Sequence, residues 1–220
     1  MVPPGSRPTR PRPAPAAARP QAGSVRIIGG HWRGSKLPIG DAAGLRPTSD
    51  RVRETLFNWL QPHLAGARVL DLFAGTGALG LEAASRGAER VVLLERDPAL
   101  AESLGATAAR LEGGSGRVVV ACEDALRWLG KTPDASFDLV FMDPPFASGL
   151  WQAAFAALPP WLAEDAWLYV ESPRAGPAAP GPGWLPHRDG ATRDVHYALY
   201  RRPADTLARM TAAEQDPARA

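Results

Sequence analysis

The 220-residue sequence predicts an α/β fold: a doubly wound, mostly parallel sheet of seven strands, with a C-terminal antiparallel hairpin and a short basic β/α extension at the N-terminus. Three observations point there. Five short runs rich in Val, Leu and aromatics (68–73, 90–95, 117–121, 137–142 and 166–171) alternate with Ala-rich helical stretches near 78–86, 98–111, 124–130 and 149–158. The runs are apolar almost throughout, rather than at every second residue, as in strands covered on both faces. A glycine-rich turn follows the first run and an acid-proline-proline turn follows the fourth, where open α/β sheets bind ligands.

Each element has a local cause. Residues 1–24 hold seven prolines, four arginines and no acid. Such a stretch cannot bury enough surface to offset its ordering entropy, so it reads as a disordered tail. The run 25–28 reads as a strand broken by Gly29-Gly30, and 31–39 as the returning half of a hairpin, closed by a loop up to Pro47. Thr48 or Ser49 can cap a helix running to about Gln61, with Asp50 in the first turn, where the helix dipole favours an anion. Val52, Leu56, Trp59, Leu60 and His63 form its apolar face, and Arg51 and Arg53 lie off that stripe. The five strand-and-helix runs follow. Beyond a Pro/Gly loop at 176–183, the runs 184–188 and 195–200 read as an antiparallel hairpin closing one sheet edge. This divides the chain into a Pro/Arg-rich tail (1–24), a basic hairpin and helix (25–62), a ligand-binding sheet domain (63–202) and a frayed C-terminal tail (203–220).

Composition narrows the function classes. At 22% charged and 45% hydrophobic residues the chain suits a soluble globular protein, and no stretch is long and apolar enough for a membrane span. The start lacks the apolar core of a secretory signal. The single cysteine, Cys122, leaves no disulfide framework or cysteine zinc cage. A cytoplasmic monomer without a metal is the expectation. The net charge of +2 hides an asymmetry: residues 1–53 hold ten Arg/Lys and two acids, a net +8, against −6 for the remainder. A basic arm on an acidic body suits approach to a polyanion, with Arg26, Arg33, Lys36, Arg46, Arg51 and Arg53 as the candidate phosphate contacts.

The glycine turn reads Asp71-Leu72-Phe73-Ala74-Gly75-Thr76-Gly77-Ala78-Leu79-Gly80. Glycines let the backbone turn sharply and let a ligand approach without a Cβ in the way. Glu95, 20 residues after Gly75 and at the end of the next strand, is placed to grip a ribose diol. A nicotinamide dinucleotide fits this much equally well. Asp71 tilts the choice, because it would point into the cleft above the sheet, where a pyrophosphate gains nothing from an acid. S-adenosylmethionine carries a sulfonium and an ammonium group and suits it. Asp124 is placed either to accept from an adenine amino group or to cap the next helix, and Asp97 reads as a helix cap.

The sharpest signal is Asp143-Pro144-Pro145-Phe146 at the end of the fourth run. Two prolines hold this turn stiffly, so that the Asp143 carboxylate and the Pro144 carbonyl can be aimed at one point. An exocyclic amine on a base is a poor nucleophile, because its lone pair is delocalised into the ring. Two acceptors on its N–H groups would orient it and stabilise positive charge as the nitrogen gains a methyl. Phe146 could stack on the base, worth about 1–3 kcal/mol in comparable settings.

With these residues in view the chain resembles the class I S-adenosylmethionine-dependent methyltransferases, and more narrowly the bacterial 16S ribosomal RNA guanine-N2 methyltransferases of type D. The resemblance spans about 26–201. Its marks are Arg26-Ile27-Ile28-Gly29-Gly30-His31-Trp32-Arg33-Gly34, Leu45-Arg46-Pro47-Thr48-Ser49-Asp50-Arg51-Val52-Arg53-Glu54, Phe57-Asn58-Trp59-Leu60, the Asp71–Gly80 loop, Asp143 to Phe146 and Tyr169-Val170-Glu171. It implies a Rossmann-like fold and methylation of N2 of one guanosine in 16S rRNA, with the assembling 30S particle as partner. It further implies that Asp71, Gly75 and Gly77 hold the methionine end, with Phe73 beside them, Glu95 the ribose and Asp124 the adenine. Asp143, Pro144 and Phe146 would hold the target base. The chain departs from the family pattern at Arg193-Asp194, where a small pair is expected, and in its long proline-arginine tail.

Three other readings share some of these residues. DNA adenine-N6 methyltransferases resemble the acid-proline-proline-aromatic turn but carry a target-recognition insert, and here no segment is long enough. A nicotinamide oxidoreductase is disfavoured by Asp71 and by the histidines: His31, His63, His187 and His196 all fall in arm, helix or hairpin contexts. A non-catalytic RNA-binding assembly factor on the same fold would have no use for an intact Asp143 corner.

Overall fold

A computed structural model describes residues 23–39 and 48–204. Most of the two tails and Arg46 lie outside the described residues. Strands β1 (Ser24–Arg26) and β2 (Lys36–Pro38) pair antiparallel, Val25 opposite Leu37. Both are shorter than the sequence suggests. Gly30 and Gly34 take left-handed φ values of 76° and 85°, so 27–35 is spent on a tight turn closed by Gly34 N–H donating to the Ile27 carbonyl. Helix α1 (Asp50–Leu60) starts at Ser49, whose hydroxyl accepts from the Val52 N–H, and runs into a 3₁₀ turn, Gln61–His63.

The main sheet then builds up as β3 (Arg68–Asp71), α2 (Ala78–Ser85), β4 (Arg90–Glu95), α3 (Pro98–Arg110), the single turn α4 (Gly114–Arg117), β5 (Val118–Cys122), α5 (Ala125–Leu129), β6 (Phe137–Met142), α6 (Trp151–Ala157), β7 (Leu162–Pro173), β8 (Leu185–Ala191) and β9 (Val195–Arg202). Its order is β5-β4-β3-β6-β7-β9-β8. The first five of these strands run parallel; β9 pairs antiparallel with both β7 and β8. The last strand is therefore inserted beside β7, and β8 is the edge. Arg68 pins the start of β3 to β6, its backbone N–H, Nε and Nη2 all donating to the Asp138 carboxylate.

Successive strand residues feed two separate cores. Val69, Val91, Leu93, Leu139 and Phe141 pack against α1, α2 and α3, whereas Leu70, Val92, Leu94, Val140 and Met142 pack against α5 and α6. Near-continuous apolar strands are what two covered faces require. On α1 the buried stripe includes Phe57, whose ring meets Phe141 edge-on at 6.0 Å. Trp59 and His63, half-buried, lie instead on the C-terminal strands, stacked on Tyr197 and Trp167.

The N-terminal element is fastened by polar groups. Glu82 of α2, fully buried, accepts from the Ile28 and Gly29 N–H groups at 2.6 and 2.7 Å and from Arg86 Nε at 2.7 Å. Ser85 accepts from the Trp32 N–H and donates to the Gly29 carbonyl. Arg53 is drawn into this cluster, which corrects its placement on a polyanion-facing surface. It is 0% exposed, with Nη2 donating to the Arg26 carbonyl and to Asp50, and Nη1 3.7 Å from Glu82. A guanidinium so enclosed cannot reach a phosphate; it ties α1 to the hairpin and to α2.

Candidate active site

Four parallel strands lie side by side, and each carries an acid at or near its carboxyl end: Asp71 on β3, Glu95 on β4, Asp143 just past β6 and Glu171 on β7, two residues before that strand ends. After β3 the backbone turns through 72–77. Leu72 N–H donates to the Phe141 carbonyl and Ala74 N–H to the Leu94 carbonyl, so the loop is laced to both neighbouring strands. Gly77 opens α2 with φ 76°, and a Cβ there would collide with Leu104. Glycine is required at this position.

Asp71 is buried under this loop at 3% exposure, not open to the cleft as its position in the sequence suggests. Its Oδ2 accepts from the Gly80 N–H at 3.1 Å. Burial pushes its pKa up to about 7, Glu95 adding a smaller upward push against the backbone hydrogen bonds. Each oxygen of Glu95 takes one backbone N–H, Gly75 at 3.0 Å and Asp97 at 2.8 Å, leaving lone pairs for hydroxyls. Asp97 caps α3 through the Ala99 and Leu100 N–H groups. Asp124 caps α5, Oδ1 accepting from Leu126 and Arg127, so the capping role is occupied and Oδ2 alone is left for a ligand. Phe73, half-buried, packs against the core on the α5 and α6 side.

Across the sheet, Asp143 is half-buried, Pro144 buried and Phe146 37% exposed, its ring 5.9 Å from Trp151. The Asp143 carboxyl is pushed well above the usual carboxylate range by burial, then by Glu171 and Asp71. Neither its carboxylate nor the Pro144 carbonyl takes a hydrogen bond among the described residues. Glu171 lies beside it, 4% exposed; its Oε1 accepts from the Thr48 and Tyr169 hydroxyls, both at 2.7 Å, and its carbonyl accepts from Trp151 Nε1. Burial raises the Glu171 pKa against those two donors, and Tyr169 is raised well above its ordinary value by burial and by Glu171.

Sequence reasoning did not single out Glu171, Tyr169, Thr48 or Trp151 as site residues. One signal was available: Glu171, like Asp71 and Glu95, is an acid at or near the end of a buried strand. Of the candidate phosphate contacts, Arg26, Arg33, Lys36 and Arg51 are exposed. The histidines are placed elsewhere: His31 beside Glu112, His63 and His187 against Trp167, and His196 near Asp189. Among the described residues no His/Cys/Asp/Glu group could hold a metal ion, and no helix is long and apolar enough to cross a membrane.

The donor set fits S-adenosylmethionine. A buried carboxylate without a cation is costly, and Asp71, whose pKa is shifted by desolvation, backbone donors and another acid, has no cationic partner among the described residues. A ligand bringing positive charge to this edge would supply one.

Comparison with known proteins agrees with this architecture. Residues 25–201 match the family described as conserved hypothetical protein 95. The chain is 47% identical to ribosomal RNA small subunit methyltransferase D of Escherichia coli K12, covering 83% of this chain and 92% of that protein. It is 42% identical to the protein of the same name from Haemophilus influenzae, covering 81% and 94%. The solved structure of yhhF from Escherichia coli superimposes with a TM-score of 0.74 at 44% identity, covering 83% and 99%. On this sheet order, this site and these relatives, the chain belongs to the ribosomal RNA small subunit methyltransferase D family and has the class I methyltransferase fold.

Proposed function

We propose that the protein transfers a methyl group from S-adenosylmethionine to the exocyclic N2 of one guanosine in 16S rRNA, with the small ribosomal subunit or its precursor as substrate. The observation that carries this is the Asp143 corner: a carboxylate and a carbonyl with free lone pairs, on a stiff turn beside an exposed aromatic ring. Asp71, Gly75 and Gly77 would hold the methionine end, Glu95 the ribose, and the spare oxygen of Asp124 the adenine. The cofactor would supply an electrophilic methyl group to the amine nitrogen. Asp143 and the Pro144 carbonyl accept from the amine N–H groups and aim its lone pair, and Phe146 stacks on the base. The exposed Arg26, Arg33, Lys36 and Arg51, with Arg46, would meet phosphates. The names of the close relatives, which are ribosomal RNA small subunit methyltransferases, support the substrate class.

Tritiated methyl transfer to 30S particles from cells lacking this activity, followed by digestion to nucleosides, tests the reading. N2-methylguanosine is the expected product. Label in N6-methyladenosine would replace guanine by adenine, and no label in RNA would leave a binding protein only.

A further inference from the structure

Glu171 is the acid at this edge that the proposed reaction leaves without a task, although it is the most elaborately held. It sits between two hydroxyl donors from different parts of the chain, Thr48 just before α1 and Tyr169 two residues earlier on β7. Its own carbonyl anchors Trp151, which packs on Phe146. Those two hydroxyls favour the Glu171 anion against the upward push of burial. Asp143 has no such donor among the described residues; it follows Met142, which pairs with Val170, and so lies beside Glu171 of β7, with Tyr169 of the same strand and Asp71 of β3 also near it. Behind these, Tyr197 of β9 faces Tyr169 and Glu95 of β4 faces Asp71. None of the groups acting on Asp143 is a cation.

We propose that Glu171 is a positioning residue for methyl transfer: fixed by the Thr48 and Tyr169 hydroxyls beside Asp143, it sets a second carboxylate against the one that meets the amine and favours the arrival of a proton there. When the nitrogen–carbon bond forms and the carbon–sulfur bond breaks, the amine carries one proton too many. That proton passes to Asp143, and the fixed charge of Glu171 favours its arrival. Because one of the two hydroxyls comes from Thr48, two residues before α1, the basicity of the corner depends on the N-terminal element being docked. This inference rests on the function proposed above for its chemistry, but not for its measurement.

The test follows Asp143 by carbon-13 NMR in Asp-labelled protein without cofactor or RNA, with Asp143→Asn identifying the resonance. In the unaltered chain Asp143 titrates above the ordinary carboxylate range. Glu171→Gln lowers its midpoint by about one pH unit or more, Thr48→Val and Tyr169→Phe lower it by less, and Glu171→Asp keeps it raised. In single-turnover methyl transfer the rising limb of the pH–rate profile moves down in the same order, with kcat reduced about tenfold and the cofactor KM nearly unchanged in Glu171→Gln. An Asp143 midpoint unmoved by Glu171→Gln overturns the inference; should that variant melt below the working temperature, an unmoved midpoint in both Thr48→Val and Tyr169→Phe does so. If the midpoints shift as stated while the unaltered protein methylates no guanosine, the proposed function fails and the coupling of Glu171 to Asp143 stands.

Discussion

Asp71 is held at a free-energy cost that the cationic cofactor proposed above would offset. Its carboxyl titrates near 7 in the folded chain against 3.8 for an unperturbed group, so the folded state keeps its proton longer. The sign follows from that: the folded protein is favoured at low pH and loses stability as pH rises from about 4 to about 7. Asp71→Asn retains an acceptor for the Gly80 N–H and removes the charge. It should raise Tm by several degrees at pH 8 and leave it unchanged at pH 4, while weakening cofactor binding about tenfold or more by calorimetry. Equal effects at both pH values would contradict the burial argument. Asp143→Ala should behave in the opposite way, abolishing transfer with cofactor affinity within about twofold, because in the proposed function its partner is the amine and not the cofactor. An active Asp143→Ala variant would remove this residue from the chemistry.

The N-terminal hairpin has almost no apolar core of its own: Val25, Ile27, Trp32 and Leu37 are buried only because α1 and α2 lie beneath them. Polar groups on α2 determine how it sits. Glu82 serves two backbone N–H groups and two arginines, Arg53 and Arg86, inside the protein. Glu82→Gln leaves Arg86 without its anion and Arg53 with Asp50 alone, and breaking a buried pair in this way costs about 3–5 kcal/mol. The expected result is a lowered Tm and faster amide exchange at Ile28 and Gly29; slow exchange there would show that apolar contacts alone suffice. The same burial explains why Arg53 resembles its neighbour Arg51 in the sequence and differs from it in the structure. Asp50 and the Arg26 carbonyl, 3 and 27 residues away, capture one guanidinium and leave the other in solvent.

Across the whole molecule, cations gather on the first quarter of the chain and acids on the rest, with four of those acids at the carboxyl edge of the sheet. In the proposed function the acidic edge would meet a cationic cofactor and the basic element the phosphates of an RNA acceptor. Replacing Arg26, Arg33, Lys36 and Arg51 together by Ala should weaken binding to the 30S particle and flatten the dependence of log K on log salt by about 3. Arg53→Ala should leave that slope in place and lower Tm instead. A slope unchanged in the fourfold variant would dissociate the basic element from RNA.

The alternation of strands and helices, the turn at Asp71 to Gly80, the Asp143 corner, a cap at Thr48 or Ser49 and the cap at Asp97 were all legible in the sequence. Each depends on residues within a few positions of one another, and local chemistry is enough to specify them. Strand order, the insertion of β9 beside β7, the burial of Arg53 and Asp71, and the grouping of Thr48, Tyr169 and Glu171 around Asp143 were decided by tertiary structure alone. Those features join residues up to 123 positions apart. Desolvation and long-range hydrogen bonds, which determine whether a charged side chain is a free surface group, a clamp or a tuned acid, exist only once the two cores have closed over the sheet.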